Sequence, residues 1–496
     1  MGWKRVSVLL KNQVQLITYP DSLGGNLSTL NHLLLNELAG LFTGGVHILP
    51  PFPSSGDRGF APLTYLEIDP VFGTWEDIRC IGEHTDILVD LMVNHISQQS
   101  PYFQDFLRKG RSSEYADLFL TLDKVWADGV PVQKDIDHMF LRREVPYSTF
   151  RIHESGEEEK VWTTFGKTDP SEQIDLDIRA AITQQLLRSF FENFKKNNVK
   201  IVRLDAVGYV IKKLGTSCFF VEPDIYIFLD WVKSLADELE IELLPEVHAH
   251  YSVQYKLADF GCWIYDFILP YRVLETLINR SSGELRRYLA NRPANQFTML
   301  DCHDGIPVKP DLDGLIRTDE AQQLVDICLE RGANLSLILS DKHKSEDGFN
   351  VHQIRCTYYS ALNEDDDAYL AARAIQFFVP GIPQVYYVGL FAGENDLERV
   401  AETGEGREIN RQNYTMEDIE QQLDKKVVQR LMELIRFRNS HQAFQGEFNV
   451  LDSPDNQLCL NWKLDNQQCS LTVDLQTYQS VIHYSDPSGC LVAYRI

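Results

Sequence analysis

No C-x-x-C pair occurs anywhere in this 496-residue chain, although it contains nine cysteines. They are odd in number and scattered from Cys80 to Cys490, which suggests neither a disulfide framework nor a zinc ribbon. Reduced thiols of a cytoplasmic protein are the simplest account. No uncharged apolar run approaches the ~20 residues needed to span a bilayer. The N-terminal "MGWKRVSVLLKNQ" carries an apolar run broken by Lys11, too short for the core of a signal peptide. Positive charge is also scarce: 47 Lys and Arg stand against 72 Asp and Glu, a net charge of −25 that repels nucleic-acid phosphates. Any anionic small substrate must then be met by a local basic patch. H-E-x-x-H, an EF-hand loop and a Walker loop are missing, so no motif asks for a metal or a nucleotide. The expectation is a soluble protein acting on small molecules without a cofactor, a membrane or a nucleic acid. Monomer and homodimer are both compatible with the sequence.

What is present is a rhythm. Short apolar, β-rich runs lie at 14–19, 45–50, 87–93, 199–205, 241–247, 263–267, 297–301 and 384–388. Helical patterns separate several of them, such as "NLSTLNHLLLNEL" from Asn26, "RAAITQQLLRSFFENFKK" from Arg179 and "PDIYIFLDWVKSLADEL" from Pro223. Runs apolar on both faces, alternating with helices, indicate a parallel sheet covered by helices. Eight such units predict an α/β fold, a closed (β/α)8 TIM barrel, over 1–97 and 179–439. The charged, aromatic stretch 98–178 reads as a small inserted domain, and 305–367 as a long active-site loop region. From about 440 the period changes to alternation in "LCLNWKL", "CSLTVDL", "SVIHYS" and "LVAYRI", which predicts a C-terminal antiparallel β-domain over 440–496.

Chemistry in such a barrel sits where the strands end. The run "VKIVRLDAVGY" ends with Arg203 and Asp205 two places apart, hence on one face of the strand. They are either a structural ion pair closing a strand or a nucleophilic carboxylate kept ionised by its Arg partner. The neighbouring strand ends decide between these. "VNHIS" contributes His95, "LPEVH" Glu246 and His248, and "LDCHDGI" His303 and Asp304. Carboxylates and histidines also bind cations, but three carboxylates, three histidines and an Arg on one rim fit glycoside chemistry better. That chemistry needs one ionised carboxylate and one protonated carboxyl. Asp205 beside Arg203 is expected to stay ionised, and Glu246, preceded by Leu243, Leu244 and Pro245, to have a raised pKa. Asp304 is left to hold sugar hydroxyls and to stabilise developing positive charge.

These strand-end motifs resemble those of the α-amylase superfamily of retaining α-glucosidases and transglycosylases. Within it, "KNQVQLITYPDSLGGNL", "GVHILPPFPSSGDRGFAP", "DCHDGIPV", "GIPQVYYVGLFAG" and "REINRQNY" are similar to the sucrose phosphorylase branch. The resemblance implies Asp205 as nucleophile, Glu246 as acid/base and Asp304 as transition-state stabiliser. It also implies a glucose subsite formed by Asp57, Phe60, His95, Arg203, His303 and Arg411, with Gln173 nearby. Core packing would otherwise explain Phe60, and a satisfied strand-end histidine His95. The stretch Asn350, Val351, His352, Gln353 has a His where sucrose-specific members carry Tyr, and "FLRREVPY" places Arg142 and Arg143 on the inserted segment. Both features are similar to the pattern of sucrose 6(F)-phosphate phosphorylases, in which a loop Arg and a His grip the phosphate on fructose, and a His can add charge near neutral pH. "LRRE" can equally be a solvated run. Asn350 stands where an acid is usual, and Gln412 where a His is usual. The implied activity converts sucrose 6'-phosphate and phosphate to glucose 1-phosphate and fructose 6-phosphate. Arg142 and the 340–353 loop are then the candidates for an overlapping site for the attacking phosphate. Sister phosphorylases using sucrose, glucosylglycerol or glucosylglycerate, or a hydrolase, are the alternatives.

Overall fold

The computed structural model describes residues 10–338, 348–486 and 488–496. The stretch 1–9, which carries most of the reading against a signal peptide, and 339–347 of the 340–353 loop lie outside the described residues. Eight parallel strands form the central sheet: β1 (Gln15–Thr18), β2 (Gly45–Ile48), β3 (Ile87–Met92), β4 (Val199–Asp205), β5 (Glu242–Pro245), β6 (Ile264–Asp266), β7 (Gln296–Thr298) and β8 (Ile382–Tyr386). Each overlaps one of the eight apolar runs named from sequence. Their order around the sheet is β6-β7-β8-β1-β2-β3-β4-β5, chain order throughout, with no ladder assigned between β5 and β6. This is the nearly closed barrel expected.

The strands are buried on both faces, which is why their sequences are continuous apolar runs rather than alternations. The covering helices are one-sided. Ala181–Lys196 buries Leu187, Phe190, Phe191 and Phe194 at helical spacing and leaves its Lys and Glu side outward. Leu27–Leu35 starts at an Asn26 cap that accepts from the Thr29 amide, and buries Leu27, Leu30 and Leu33. Asp366–Phe378 differs: nearly every residue is buried, because it lies between the barrel and the C-terminal sheet.

Between β3 and β4 the chain makes two small antiparallel pairs, His95–Ser97 with Gln173–Asp175 and Tyr147–Arg151 with Glu158–Trp162, over their own apolar clusters. The connection from β7 to β8 is more ordered than a long loop: it holds the helix Thr318–Glu330 and a sheet of Ile306–Pro307, Val351–Arg355 and Asn334–Leu337. The C-terminal antiparallel sheet has five strands, the four read from alternation and an edge strand, Glu447–Leu451. That strand half-buries Phe448 and Val450 and exposes the residues between, so its apolar signal is weak. Among the described residues no helix is long and apolar enough to cross a membrane.

Candidate active site

The strand register places the central charges. Asp90 of β3 pairs with Arg203 of β4, and Met92 with Asp205, so Asp90 and the Arg203–Asp205 couple share one face. Arg203 pairs in turn with Leu244 of β5, and the Glu246 amide donates to the Leu204 carbonyl at 3.0 Å. One buried guanidinium therefore serves three carboxylates. Arg203 Nη1 donates to Asp90 and, at 3.0 Å, to Asp205 Oδ1, while Nη2 lies 2.7 Å from Glu246 Oε1. Asp90 is fixed from behind by His47 of β2 at 2.8 Å. Asp205 is the last residue of β4, and directly after it the chain turns through Ala206, a non-glycine residue with φ of 55°.

Across the mouth, Asp304 follows β7 beside His303, with Arg407 Nε 3.4 Å from its Oδ1 and the Asp57 carboxylate 3.6 Å from the other side of Arg407. Phe60 stacks on His303, rings 5.0 Å apart and 10° from parallel. Its carbonyl accepts from His95 Nε2 at 3.0 Å and from Gln173 Nε2 at 3.2 Å. Asp57 and Arg58, which lead into Phe60, both have positive φ (47° and 50°), so this turn is held in a conformation side chains disfavour. Asp57, Phe60, His95, Gln173, Asp205, Glu246, His303, Asp304, Arg142, His352 and Gln353 all line one cleft of about 760 Å³, open solvent included.

The proton distribution differs from the expected one. Burial and then the Glu246 charge push Asp205 well above the usual carboxylate range, against the pull of Arg203. Burial opposes ionisation of Glu246 too, but Arg203 and His248 outweigh it and hold Glu246 below that range. The sequence argument gave Arg203 to Asp205 alone and read Leu243, Leu244 and Pro245 as a raised-pKa environment for Glu246. In the fold Arg203 reaches both carboxylates, and His248 lies 3.5 Å from Glu246. His248 is itself a cation: burial would lower it, but Asp311 at 3.2 Å and Glu246 bring its pKa up to about 10. Asp304, despite burial, is held well below the usual range by Arg407, His303 and Arg411.

This arrangement has counterparts. The family model for the α-amylase catalytic domain matches residues 24–237. The chain is 67% identical to the sucrose 6(F)-phosphate phosphorylase of Thermoanaerobacterium thermosaccharolyticum, over 98% of its own length and 100% of that protein. The chain belongs to the α-amylase family, in its sucrose phosphorylase branch. A crystal structure of sucrose 6F-phosphate phosphorylase from Thermoanaerobacter thermosaccharolyticum superposes with a TM-score of 0.98 at 66% identity, covering 99% of this chain and 100% of that one. The glucosylglycerol phosphorylase of Marinobacter adhaerens is 43% identical over 97% of the chain and 98% of its own length.

Within this phosphorylase fold the outer residues divide. Arg142 reaches the cleft and lines it beside Tyr209. Arg143 does not: it donates to Ser148, Thr163 and two carbonyls of its own segment. His352 lines the cleft, but the charge expected of it near neutral pH is opposed by its surroundings. Burial, then Arg142 and His248, hold its pKa well below the ordinary value, and its Nδ1 donates to the Lys309 carbonyl at 2.5 Å. Gln353 contacts His248 at 3.5 Å. Arg411 stands one layer behind the cleft wall, donating from Nε to the His303 carbonyl at 3.0 Å. Gln412 turns away to the Glu394 carbonyl. Sequence reasoning passed over Arg407, four residues before Arg411 in "REINRQNY", and over Asp90, an acid inside the apolar run "ILVDLMV". The acid was the visible signal, since a buried charge in a strand needs a partner.

Proposed function

We propose that the protein is a retaining glycoside phosphorylase that transfers glucose from sucrose 6'-phosphate to inorganic phosphate. The observation that carries this is the shared cleft: three carboxylates suited to glycosyl transfer open onto the same space as Arg142 and His352. The 67% identity to a protein of that name supports the substrate.

Asp205 is the nucleophile, Glu246 the acid/base and Asp304 the stabiliser of the oxocarbenium-like charge. The Asp205–Glu246 pair shares Arg203, so a single proton moved from Asp205 to Glu246 creates nucleophile and acid together. Substrate entry supplies the cause, because a glycosidic oxygen set against Glu246 separates it from Arg203 and leaves that charge to Asp205. Asp205 then attacks the anomeric carbon, the C1–O bond breaks, and the proton of Glu246 goes to the leaving oxygen of fructose 6-phosphate. An oxygen of inorganic phosphate attacks the same carbon, the ester to Asp205 breaks, and Glu246 takes the proton back. Two inversions give α-glucose 1-phosphate, and carboxyls clasped by one guanidinium suit the ~5 to 5.5 Å spacing of retaining enzymes. Asp57, His95, His303, Gln173 and Arg407 hold the glucosyl unit, with Phe60 beneath it, and Arg411 braces His303 from behind. The fructosyl phosphate lies against Arg142 and His352, and its negative charge is what raises His352 into its protonated form, Nε2–H donating.

The test is direct. With inorganic phosphate, the protein releases glucose 1-phosphate faster from sucrose 6'-phosphate than from sucrose, and Asp205→Asn lowers that rate on the order of 10⁴-fold or more. Equal or faster release from plain sucrose removes the role given to Arg142 and His352, and wild-type turnover by Asp205→Asn ends the scheme.

A further inference from the structure

Asp57 and Phe60 line the cleft, whereas Arg58, which stands between them in the turn, does not. Three consecutive residues here, Asp57, Arg58 and Gly59, have positive φ (47°, 50° and 102°), and only the last is a glycine. Backbone of this kind persists where its surroundings over-determine it. The Arg58 side chain supplies that constraint. Its Nη1 donates to the Arg411 carbonyl at 2.8 Å. Its Nη2 donates to Ser22 Oγ at 3.0 Å and to Asn413 Oδ1, and lies 3.4 Å from Asp21 Oδ1. The guanidinium sits over the Tyr19 ring, 4.0 Å from its centre. One planar fork thus grips both the loop after β1 and the 411–413 segment, which are themselves joined by Asn413 Nδ2 donating to Asp21 at 3.1 Å. The contacts make a closed circuit. Phe60 stacks on His303, the His303 carbonyl accepts from Arg411 Nε, and the Arg411 carbonyl accepts from Arg58. Gly59 alone separates Arg58 from Phe60.

We propose that Arg58 is a positioning residue for the glucosyl unit: it fixes Asp57 and Phe60 relative to His303 and so sets how well that wall of the cleft holds the sugar. The inference deepens the phosphorylase reading and rests on it for the identity of the sugar. Its effect falls on the glucosyl half of the cleft. Arg142 and His352 stand on other segments, the inserted one and the strand Val351–Arg355.

α-Glucosyl fluoride tests this on the intact protein, because it carries the glucosyl unit and no phosphate. Asp205 displaces fluoride from C1 whether phosphate or water attacks next, so the assay does not need sucrose 6'-phosphate to be a substrate. A misplacement of ~1 Å in a positioned site costs up to ~10²-fold, so kcat/KM for fluoride release falls about ten- to hundredfold in Arg58→Gln. Arg58→Lys, which keeps the charge over Tyr19 but not the fork, falls less. Binding separates positioning from a role in folding alone. By titration calorimetry the affinity of Arg58→Gln for glucose drops about tenfold, while its affinity for fructose 6-phosphate stays within about twofold of wild type. Wild-type fluoride release by Arg58→Gln overturns the proposal, as does an equal loss of affinity for glucose and fructose 6-phosphate. Where Arg58→Gln does not fold, the same two measurements on Arg58→Lys decide. A wild-type protein that releases fluoride but makes no glucose 1-phosphate from sucrose 6'-phosphate ends the phosphorylase reading without touching the role of Arg58.

Discussion

At the scale of single residues, the site is governed by how few cations serve its carboxylates. Arg203 is shared by Asp90, Asp205 and Glu246, and His248 by Glu246 and Asp311. The His248 pKa, near 6.5 in an unfolded chain, stands at about 10 in the fold. A histidine with a raised pKa contributes stability fully present below its unfolded value, and that contribution is lost as pH rises through the folded one. The stability difference between wild type and His248→Gln is therefore largest at or below about pH 6.5 and shrinks toward pH 10. Urea unfolding at pH 6 and pH 10 measures it. A difference that grows with pH contradicts the His248–Asp311 ion pair.

At the scale of elements, the barrel depends on where a side chain has been omitted. The helix Asp366–Phe378 buries Arg373, whose Nη2 pairs with Asp301 at the end of β7 at 2.6 Å. Gly389, after β8, backs directly onto this pair: a Cβ there would meet Arg373 Nη2 at 2.1 Å and Asp301 Oδ2 at 2.2 Å. Gly389→Ala must part the two ions or move the backbone, and breaking a buried pair costs about 3–5 kcal/mol. The expected outcome is a matching loss in denaturant unfolding and a drop in activity, since Asp301 lies three residues from Asp304. Wild-type stability for Gly389→Ala would mean that the pair bears no load in the barrel.

For the whole molecule, the C-terminal sheet is joined to the barrel on the side of the helix Asp366–Phe378, and no residue of it lines the cleft. Trp462 is the anchor. It is buried, its Nε1 donates to the Phe378 carbonyl at 2.6 Å, and its ring packs against Phe444 and Phe448. Trp462→Ala removes that bond and leaves a cavity, at a cost of about 3–5 kcal/mol. Denaturant unfolding reports the loss, while the KM values of the folded protein stay at the wild-type level. A changed KM would mean that the sheet also holds the shape of the cleft.

The sequence by itself determined the barrel and its rim. Strands buried on both faces leave continuous apolar runs, and chemistry at strand ends puts Asp205, Glu246 and Asp304 at readable places. Arg142, His352 and Gln353 were legible only through family resemblance, because a basic pair or a lone His has many other uses. What only the tertiary structure decided is who shares which charge. Arg203 lies as close to Glu246 as to Asp205, Asp90 and His47 stand behind it, and Arg407 lines the cleft beside Asp57 and Asp304 where Arg411 was expected. The physical reason is distance: a proton's position among buried carboxylates depends on separations of a few ångströms across different strands, and a chain read in order carries strand ends but not the gaps between them.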